Sequence, residues 1–238
     1  MNTNSNTYTI IYTTVLVVVV AAILAIVASA LKPRQTANVE LEQMKSIMLA
    51  ANVGENNGQP DKKADFKKLY EQHIAETFVI DAKGNRVAGT DAFGVDLKSQ
   101  YNAIKNGGEL TLPVYKCKLD NGSTVTILPC YGAGLWGAIW GYLSVEEDGK
   151  TLHGAYFSHA SETPGLGGEI AEPWFYNQFD GKSLEDASGA FSSVKIVKGG
   201  AGNDSNGVDA ISGATITSRS LQTTIEQWMN YYQLILGE

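Results

Sequence analysis

The chain has few side chains that bind transition metals, because its 238 residues include only two cysteines and three histidines. Structural zinc sites and iron–sulfur clusters need such ligands at short, recognisable spacings, and no such spacing occurs here. The GxSxG, Walker A and strand-linked GxGxxG motifs are also missing from the sequence. The sequence therefore argues against a resident metal and against the commonest hydrolase, P-loop and dinucleotide sites.

The charge pattern limits the partners of the protein in a similar way. The formal net charge is −7, and the sequence has no cluster of lysine and arginine. A nucleic-acid partner is not expected without such a basic patch. Long acidic runs, which are typical of disordered tails, are absent as well.

An apolar segment at residues 8–31 contains no charged residue and is longer than the roughly 20 residues that cross a bilayer as a helix. Tyr8 and Tyr12 suit one membrane interface, and Lys32 and Arg34 close the other end. A cleaved signal peptide is the alternative, since ASA at 28–30 resembles a cleavage site. The apolar core is longer than in most signal peptides, however, and no basic residue precedes it. We predict one permanent transmembrane helix after a short tail, residues 1–7.

The remaining chain is predicted to form a helical connector over 32–60 and a domain over 61–238. Asp61 is a candidate N-cap for a helix over 62–75. Other helices are predicted at 168–179 and 217–236. Runs with strand character occur at 77–81, 110–119, 123–130, 138–145, 152–159 and 192–198. Strands in mid-chain with helices at either end predict an α+β fold with a mostly antiparallel sheet.

The two cysteines lie on neighbouring predicted strands that Asn121-Gly122 would join as a hairpin. With a two-residue loop, Cys117 faces Thr126. Cys130 is then displaced along the strand by roughly 13 Å, at about 3.3 Å per residue. A disulfide needs Cα atoms within about 7 Å, so we predict two free thiols.

Three stretches combine glycine with residues that could contact a ligand: CYGAGLWG at 130–137, ETPGLGG at 162–168 and DAISGATITS at 209–218. From composition alone, each is explained by a turn, a bulge or a helix cap, with Thr217 or Ser218 as the cap. The other interpretation is a binding site for a flat ligand. In that case the small residues beside Thr215 leave its hydroxyl accessible, and a helix N-terminus there favours a phosphate.

The stretch from Asp209 to Thr215 resembles the D-x-x-S/T-G-A-T motif of flavinylated FMN-binding domains. Such domains carry FMN joined through its phosphate to the last threonine by a FAD-dependent FMN transferase. Together with ETPGLG, GLWG and the N-terminal helix, the motif is similar to the C subunit of the sodium-translocating NADH:quinone reductase (Nqr). The G subunit of the related Rnf complex shares the flavinylation and ETPGLG motifs. An alternative of another class is a membrane-anchored binding or sensor domain without flavin.

The resemblance implies a role for each matching residue. Thr215 carries the FMN phosphodiester, and Thr217 lies close to the phosphate. The residues that the transferase recognises and that shape the turn are Asp209, Ser212, Gly213 and Ala214. The residues that border the isoalloxazine ring are Glu162, Thr163, Gly165, Leu166 and Gly167, with Leu135 and Trp136 near the same pocket.

The resemblance also implies partners and a location. The protein would transfer electrons between an iron–sulfur-bearing membrane subunit and the FMN-bearing B subunit, within a complex that couples NADH oxidation to sodium export. The chain alone holds no complete active site. Its domain would face the periplasm from the bacterial inner membrane, whereas Lys32 and Arg34, taken alone, favour a cytoplasmic domain.

Overall fold

The structure is a computed structural model that describes residues 5–236. The chain divides into two compact units, Met1–Gln43 and Met44–Glu238. Helix α1 runs from Asn6 to Ala50 without interruption, although Pro33 lies inside it. Of the described helices, α1 is the one that is long and apolar enough to cross a membrane. Its apolar side chains in the first unit are exposed, as a single-pass anchor requires.

The last residues of α1 belong to the second unit. Ile47, Met48, Leu49 and Ala50 are completely buried in its core. The packed domain therefore begins at Met44, earlier than the predicted boundary at residue 61.

A small hairpin and a short helix follow α1. Strands β1 (Glu55–Asn56) and β2 (Gln59–Pro60) form the hairpin, and helix α2 spans Phe66–His73. Asp65 caps α2 through a side-chain hydrogen bond from the Lys68 N–H. The prediction that Asp61 is the cap is wrong, because the Asp61 carboxylate instead accepts the N–H of Lys63 in the preceding turn.

The centre of the domain is a five-stranded antiparallel sheet in the order β3-β4-β5-β6-β7. Consecutive strands are neighbours, so the sheet is a simple meander, and the predicted fold class is confirmed. The strands are β3 (Ile74–Ile80), β4 (Leu112–Lys118), β5 (Thr124–Ala133), β6 (Ala138–Val145) and β7 (Leu152–His159). Helix α3, Leu97–Asn106, lies between β3 and β4 in sequence.

The register of β4 and β5 differs by one residue from the prediction. Cys117 pairs with Val125 rather than with Thr126. The loop consists of residues 120–122, because the Leu119 N–H donates to the Ser123 carbonyl. Cys117 and Cys130 consequently belong to separate cores on opposite faces of the sheet. Both thiols are free, as predicted.

The C-terminal part of the domain covers one face of the sheet. The predicted helix over 168–179 is three short pieces: a 3₁₀ turn at Gly167–Ala171, helix α4 at Pro173–Tyr176 and a 3₁₀ turn at Asn177–Phe179. Strands β8 (Lys195–Val197) and β9 (Gly207–Asp209) then pair in parallel.

Helix α5, Thr215–Tyr232, packs its apolar side on the sheet. Leu221, Ile225 and Trp228 are completely buried along this side. The Trp228 indole N–H donates to the Tyr131 carbonyl of β5 at 2.8 Å, and the Tyr232 hydroxyl donates to the Pro113 carbonyl of β4 at 3.0 Å. These bonds satisfy the polar ends of two buried aromatic side chains and fix the position of α5 across the sheet.

Candidate functional site

The structure brings the three glycine-containing stretches together around the carboxylate of Glu162. One oxygen, Oε1, accepts the N–H of Trp136 at 2.8 Å. The other, Oε2, accepts the hydroxyl of Thr217 at 2.7 Å. Glu162 therefore links ETPGLGG to the GLWG turn and to the first turn of α5.

The GLWG stretch is the turn between β5 and β6, which we call the hairpin tip (residues 134–137). It is closed by a hydrogen bond from the Gly134 N–H to the Gly137 carbonyl at 2.7 Å. At its end Leu135 and Trp136 are 47% and 67% exposed. Their backbone faces the buried Glu162 carboxylate while their side chains reach solvent, so two large apolar groups are held at the surface by a buried charge.

The ETPGLGG stretch forms the tight turn predicted from Pro164-Gly165. The Leu166 N–H donates to the Thr163 carbonyl at 3.1 Å, and Gly165 has a φ of 74°. Thr163, Gly165 and Leu166 are exposed, whereas Gly167 is buried. Glu162 itself is only 4% exposed, so its side chain lies on the buried side of this loop.

The first turn of α5 has no side-chain cap. The predicted caps, Thr217 and Ser218, are wrong, because both hydroxyls have other partners. Thr217 donates to Glu162, and Ser218 accepts the N–H of Ile211 at 3.3 Å. The free N–H groups at this helix end are left available for an anion.

Glu162 is ionised at neutral pH in spite of its burial. Desolvation on burial raises its pKa, but hydrogen bonds from the Trp136 N–H, the Thr217 hydroxyl and the Gly137 and Leu135 N–H groups lower it. The balance leaves the pKa below the ordinary value. A carboxylate that accepts several hydrogen bonds is stabilised in its charged form, which strengthens each of these contacts.

Two glycines make room for this carboxylate. A Cβ at Gly134 would lie 2.5 Å from Glu162 Oε1. A Cβ at Gly167 would collide with Glu162 Oε2 and would lie 2.6 Å from Thr217 Oγ1. The glycines at these positions are therefore required by close packing around the buried charge, besides any flexibility they give the loops.

Thr215, the first residue of α5, is exposed. The stretches joined through Glu162, together with the start of α5, carry four exposed apolar side chains, which we call the apolar patch: Leu135, Trp136, Leu166 and Ile216. The Leu166 Cδ2 is 2.8 Å from the position that a Cβ on Gly213 would take, so the ETPGLGG loop touches the stretch before Thr215. Contiguous exposed apolar side chains are typical of binding surfaces.

Thr215 also borders a cavity of about 700 Å³, which we call the basic groove. Its charged lining side chains are Lys198, Arg219 and Asp209. Asp209, Ser212 and Gly213 of the predicted site line it as well, whereas Ala214 is buried beneath the turn. Asp209 braces the glycine-rich loop, since its Oδ1 accepts the N–H of Ala201 at 2.7 Å.

Sequence analysis did not identify Lys198, Arg219 or Ile216 as site residues. Arg219 lies four residues after Thr215 on α5, which places both on one side of the helix. That spacing was visible in the sequence. The contribution of Lys198 depends on the parallel pairing of β8 and β9, which no short-range pattern indicates.

Comparison with known proteins agrees with this geometry. Residues 134–230 match the family model described as an FMN-binding domain, a range that includes the hairpin tip, Glu162 and Thr215. The chain is 33% identical to the C subunit of the Na(+)-translocating NADH-quinone reductase of Pasteurella multocida, over 84% of this chain and 80% of the relative. It is 32% identical to the C subunit of the Vibrio anguillarum reductase, over 87% of this chain and 84% of the relative.

Solved structures give the same result. The crystal structure of the Na(+)-translocating NADH-quinone reductase C subunit from Parabacteroides distasonis matches with a TM-score of 0.72 and 36% identity, over 86% of this chain and 96% of that one. The crystal structure of NqrC from Shewanella oneidensis matches with a TM-score of 0.68 and 28% identity, over 84% of this chain and 99% of that one. Sequence identity over most of both chains, with a shared fold, shows that this chain belongs to the family of C subunits of the Na(+)-translocating NADH-quinone reductase.

Proposed function

We propose that this protein is a flavin-carrying electron-transfer subunit of a sodium-translocating NADH:quinone reductase, with FMN attached through its phosphate to Thr215. One observation carries the proposal. Thr215 is exposed at a helix N-terminus without a side-chain cap, it lines the basic groove, and it is followed by Ile216 of the apolar patch. A hydroxyl in this position is accessible to a modifying enzyme, and these two surfaces suit a flat apolar ring and a phosphate.

The attachment is a phosphoryl transfer from FAD, carried out by an FMN transferase. The Thr215 Oγ forms a bond to the phosphorus that bears the ribityl chain, the diphosphate P–O bond breaks, and AMP leaves. The hydroxyl proton passes to a base of the transferase. The transferase supplies the base, so no other described side chain of this protein has to deprotonate the Thr215 hydroxyl. The hydroxyl needs only to be accessible to the transferase.

The remaining site residues orient the flavin. In this proposal the apolar patch provides the surface on which an isoalloxazine ring rests. Glu162 acts from beneath as a positioning residue, because it joins the hairpin tip to α5 through Trp136 and Thr217. Thr163, Gly165 and Gly167 shape the loop that carries Leu166.

Bound FMN would supply the redox chemistry, while the protein would hold and orient it. The bound flavin would exchange electrons with the FMN-bearing B subunit and with the iron–sulfur-bearing membrane subunits. The apolar segment of α1 contains no charged residue, so sodium translocation would belong to the complex. The domain would lie on the periplasmic side of the inner membrane.

A denaturing gel viewed under ultraviolet light tests the attachment. The full-length chain is produced in a host that contains the transferase, alongside Thr215→Ala and the control Thr223→Ala, which removes another exposed threonine of α5. We expect fluorescence to migrate with the wild type and the control and to be lost in Thr215→Ala. A wild-type band without fluorescence, or a fluorescent Thr215→Ala band, would contradict the proposal.

The periplasmic location is tested by labelling a new cysteine in intact cells. Asp120 has a fully exposed side chain, whereas the native Cys117 and Cys130 are buried. Asp120→Cys should react with a membrane-impermeant maleimide before the inner membrane is broken. Reaction only after lysis would place the domain in the cytoplasm.

A further inference from the structure

The basic groove has a charge pattern that the proposed attachment at Thr215 does not by itself require. Lys198 and Arg219 line it, and neither forms an ion pair with another residue among 5–236. Asp209 is the one carboxylate among the lining residues, so two cations face one anion. The groove therefore has a net positive charge in a chain whose formal net charge is −7.

The two cations come from two different elements that line the groove together with Thr215. Lys198 directly follows β8, which is fixed by pairing with β9 and by a bond from the Ile196 N–H to the Gln222 side chain of α5 at 2.9 Å. Arg219 lies one turn after Thr215 on α5. Thr215 thus lines a groove whose cations lie on two elements that are separate in sequence.

We infer that the basic groove is a phosphate-binding site in which Lys198 and Arg219 bind the phosphodiester that would join FMN to Thr215. This inference rests on the proposed function and deepens it. Guanidinium and ammonium groups form charge-assisted hydrogen bonds with phosphate oxygens, and Arg219 can offer two donors at once. The uncapped N–H groups of α5 add donors at the same helix end.

This assignment gives the two surfaces beside Thr215 different ligand parts. The groove binds the charged end of the cofactor, and the apolar patch binds the ring. The flavin ring would consequently lie towards Leu166 and the hairpin tip. Without the cations the phosphodiester would remain attached, but its orientation at the helix end would be less restricted.

The inference is tested by comparing FMN with riboflavin, which has the same ring and no phosphate. The full-length chain is produced without the transferase, so that Thr215 is unmodified, and each flavin is titrated with the purified protein while flavin fluorescence is recorded. We expect the wild type to bind FMN at least roughly tenfold more tightly than riboflavin, since one charge-assisted interaction is sufficient for that difference. Inorganic phosphate should weaken the binding of FMN and leave that of riboflavin unchanged.

The double variant Lys198→Ala with Arg219→Ala should lose most of the preference for FMN over riboflavin, because the two cationic contacts with the phosphate are removed and only the helix N–H groups remain. Lys195→Ala is the matched control. It removes an exposed lysine three residues from Lys198 that does not line the groove, and it should keep the wild-type preference. The three proteins should have the same circular dichroism spectrum, since every substituted side chain is exposed.

Equal affinity of the wild type for FMN and riboflavin would overturn the inference, and so would a preference that the double variant keeps undiminished. Absence of detectable FMN binding would overturn it as well. Attachment is measured separately on the gel. A fluorescent wild-type band without a phosphate preference rejects the groove alone, and a phosphate preference without a fluorescent band rejects the attachment alone.

Discussion

The most informative perturbation of the site is Glu162→Gln, which keeps the shape of the side chain and removes its charge. Glu162 is buried and accepts hydrogen bonds from the Trp136 N–H and the Thr217 hydroxyl. Hydrogen bonds to a charged group contribute about 1.5–3 kcal/mol each, whereas neutral ones contribute about 0.5–1.5 kcal/mol. Because an amide can retain some of these contacts in weaker form, we expect the free energy of unfolding to fall by about 2–3 kcal/mol at pH 7.

The loss should depend on pH with a definite sign. The folded-state pKa of Glu162 lies below its ordinary value of 4.5. Its contribution to stability is therefore fully present above about pH 4.5 and is lost as the pH falls through the folded-state pKa. The difference between wild type and Glu162→Gln should be largest near neutral pH and should shrink below about pH 4.5.

Urea unfolding of the unmodified full-length chain, followed by tryptophan fluorescence between pH 7 and pH 3, measures this difference. Glu226→Gln is the control, because Glu226 is an exposed carboxylate on the same helix, and it should change stability by less than about 0.5 kcal/mol. A loss for Glu162→Gln no larger than that of the control would refute the role given to the buried carboxylate. A loss of constant size across this pH range would refute it too.

Two further predictions follow from packing. Gly167→Ala would bring a methyl group against the Glu162 carboxylate and should destabilise the protein by about 1–3 kcal/mol. At Gly165 a methyl group meets open space, so Gly165→Ala should cost only about 1 kcal/mol, through the positive φ of this residue. Urea unfolding that ranks the two variants in the opposite order would contradict this prediction. Burial raises the pKa of Cys117 to about 11 and that of Cys130 to about 12, so both thiols should react with Ellman's reagent only after unfolding. Rapid reaction of either thiol in the folded protein at pH 8 would count against its burial.

The sequence predicted β4 to β7 well because these four strands are joined by short local connections. Strands β6 and β7 occur at the predicted residues, 138–145 and 152–159. The loop at residues 120–122 is one residue longer than Asn121-Gly122 suggested, which moved the register and placed the two cysteines on opposite faces. A shift of one residue exchanges the faces of a strand, and turn residues alone did not determine it.

One short helix and one strand pair were not predicted. Helix α3, Leu97–Asn106, contains no buried residue, but Leu97, Tyr101 and Ile104 lie at helical spacing and pack partly buried against the core, so a short signal for this helix was present in the sequence. The parallel pair β8 and β9 joins strands of three residues each, too short to produce an alternating pattern. The pairing of β8 with β9 depends on contacts made elsewhere in the domain.

The three stretches that form the candidate site could be selected from the sequence, although the contacts of some of their residues could not. Motif resemblance identified Thr215, Glu162 and the hairpin tip. The hydrogen bond between Glu162 and Thr217 joins residues from separate stretches, so the structure was needed to show that both hydroxyl caps proposed for α5 are engaged elsewhere. The same holds for Lys198, whose place in the groove follows from tertiary pairing.

The central claim is that FMN is bonded to one atom, the Oγ of Thr215, and peptide mass spectrometry tests it most directly. Trypsin should release residues 199–219 as one peptide, because no lysine or arginine lies between Lys198 and Arg219. From protein made with the transferase, this peptide should carry the added mass of FMN less one water, and fragmentation should place it on Thr215. An unmodified peptide, or a flavin on Ser212, Thr217 or Ser218, would contradict the account.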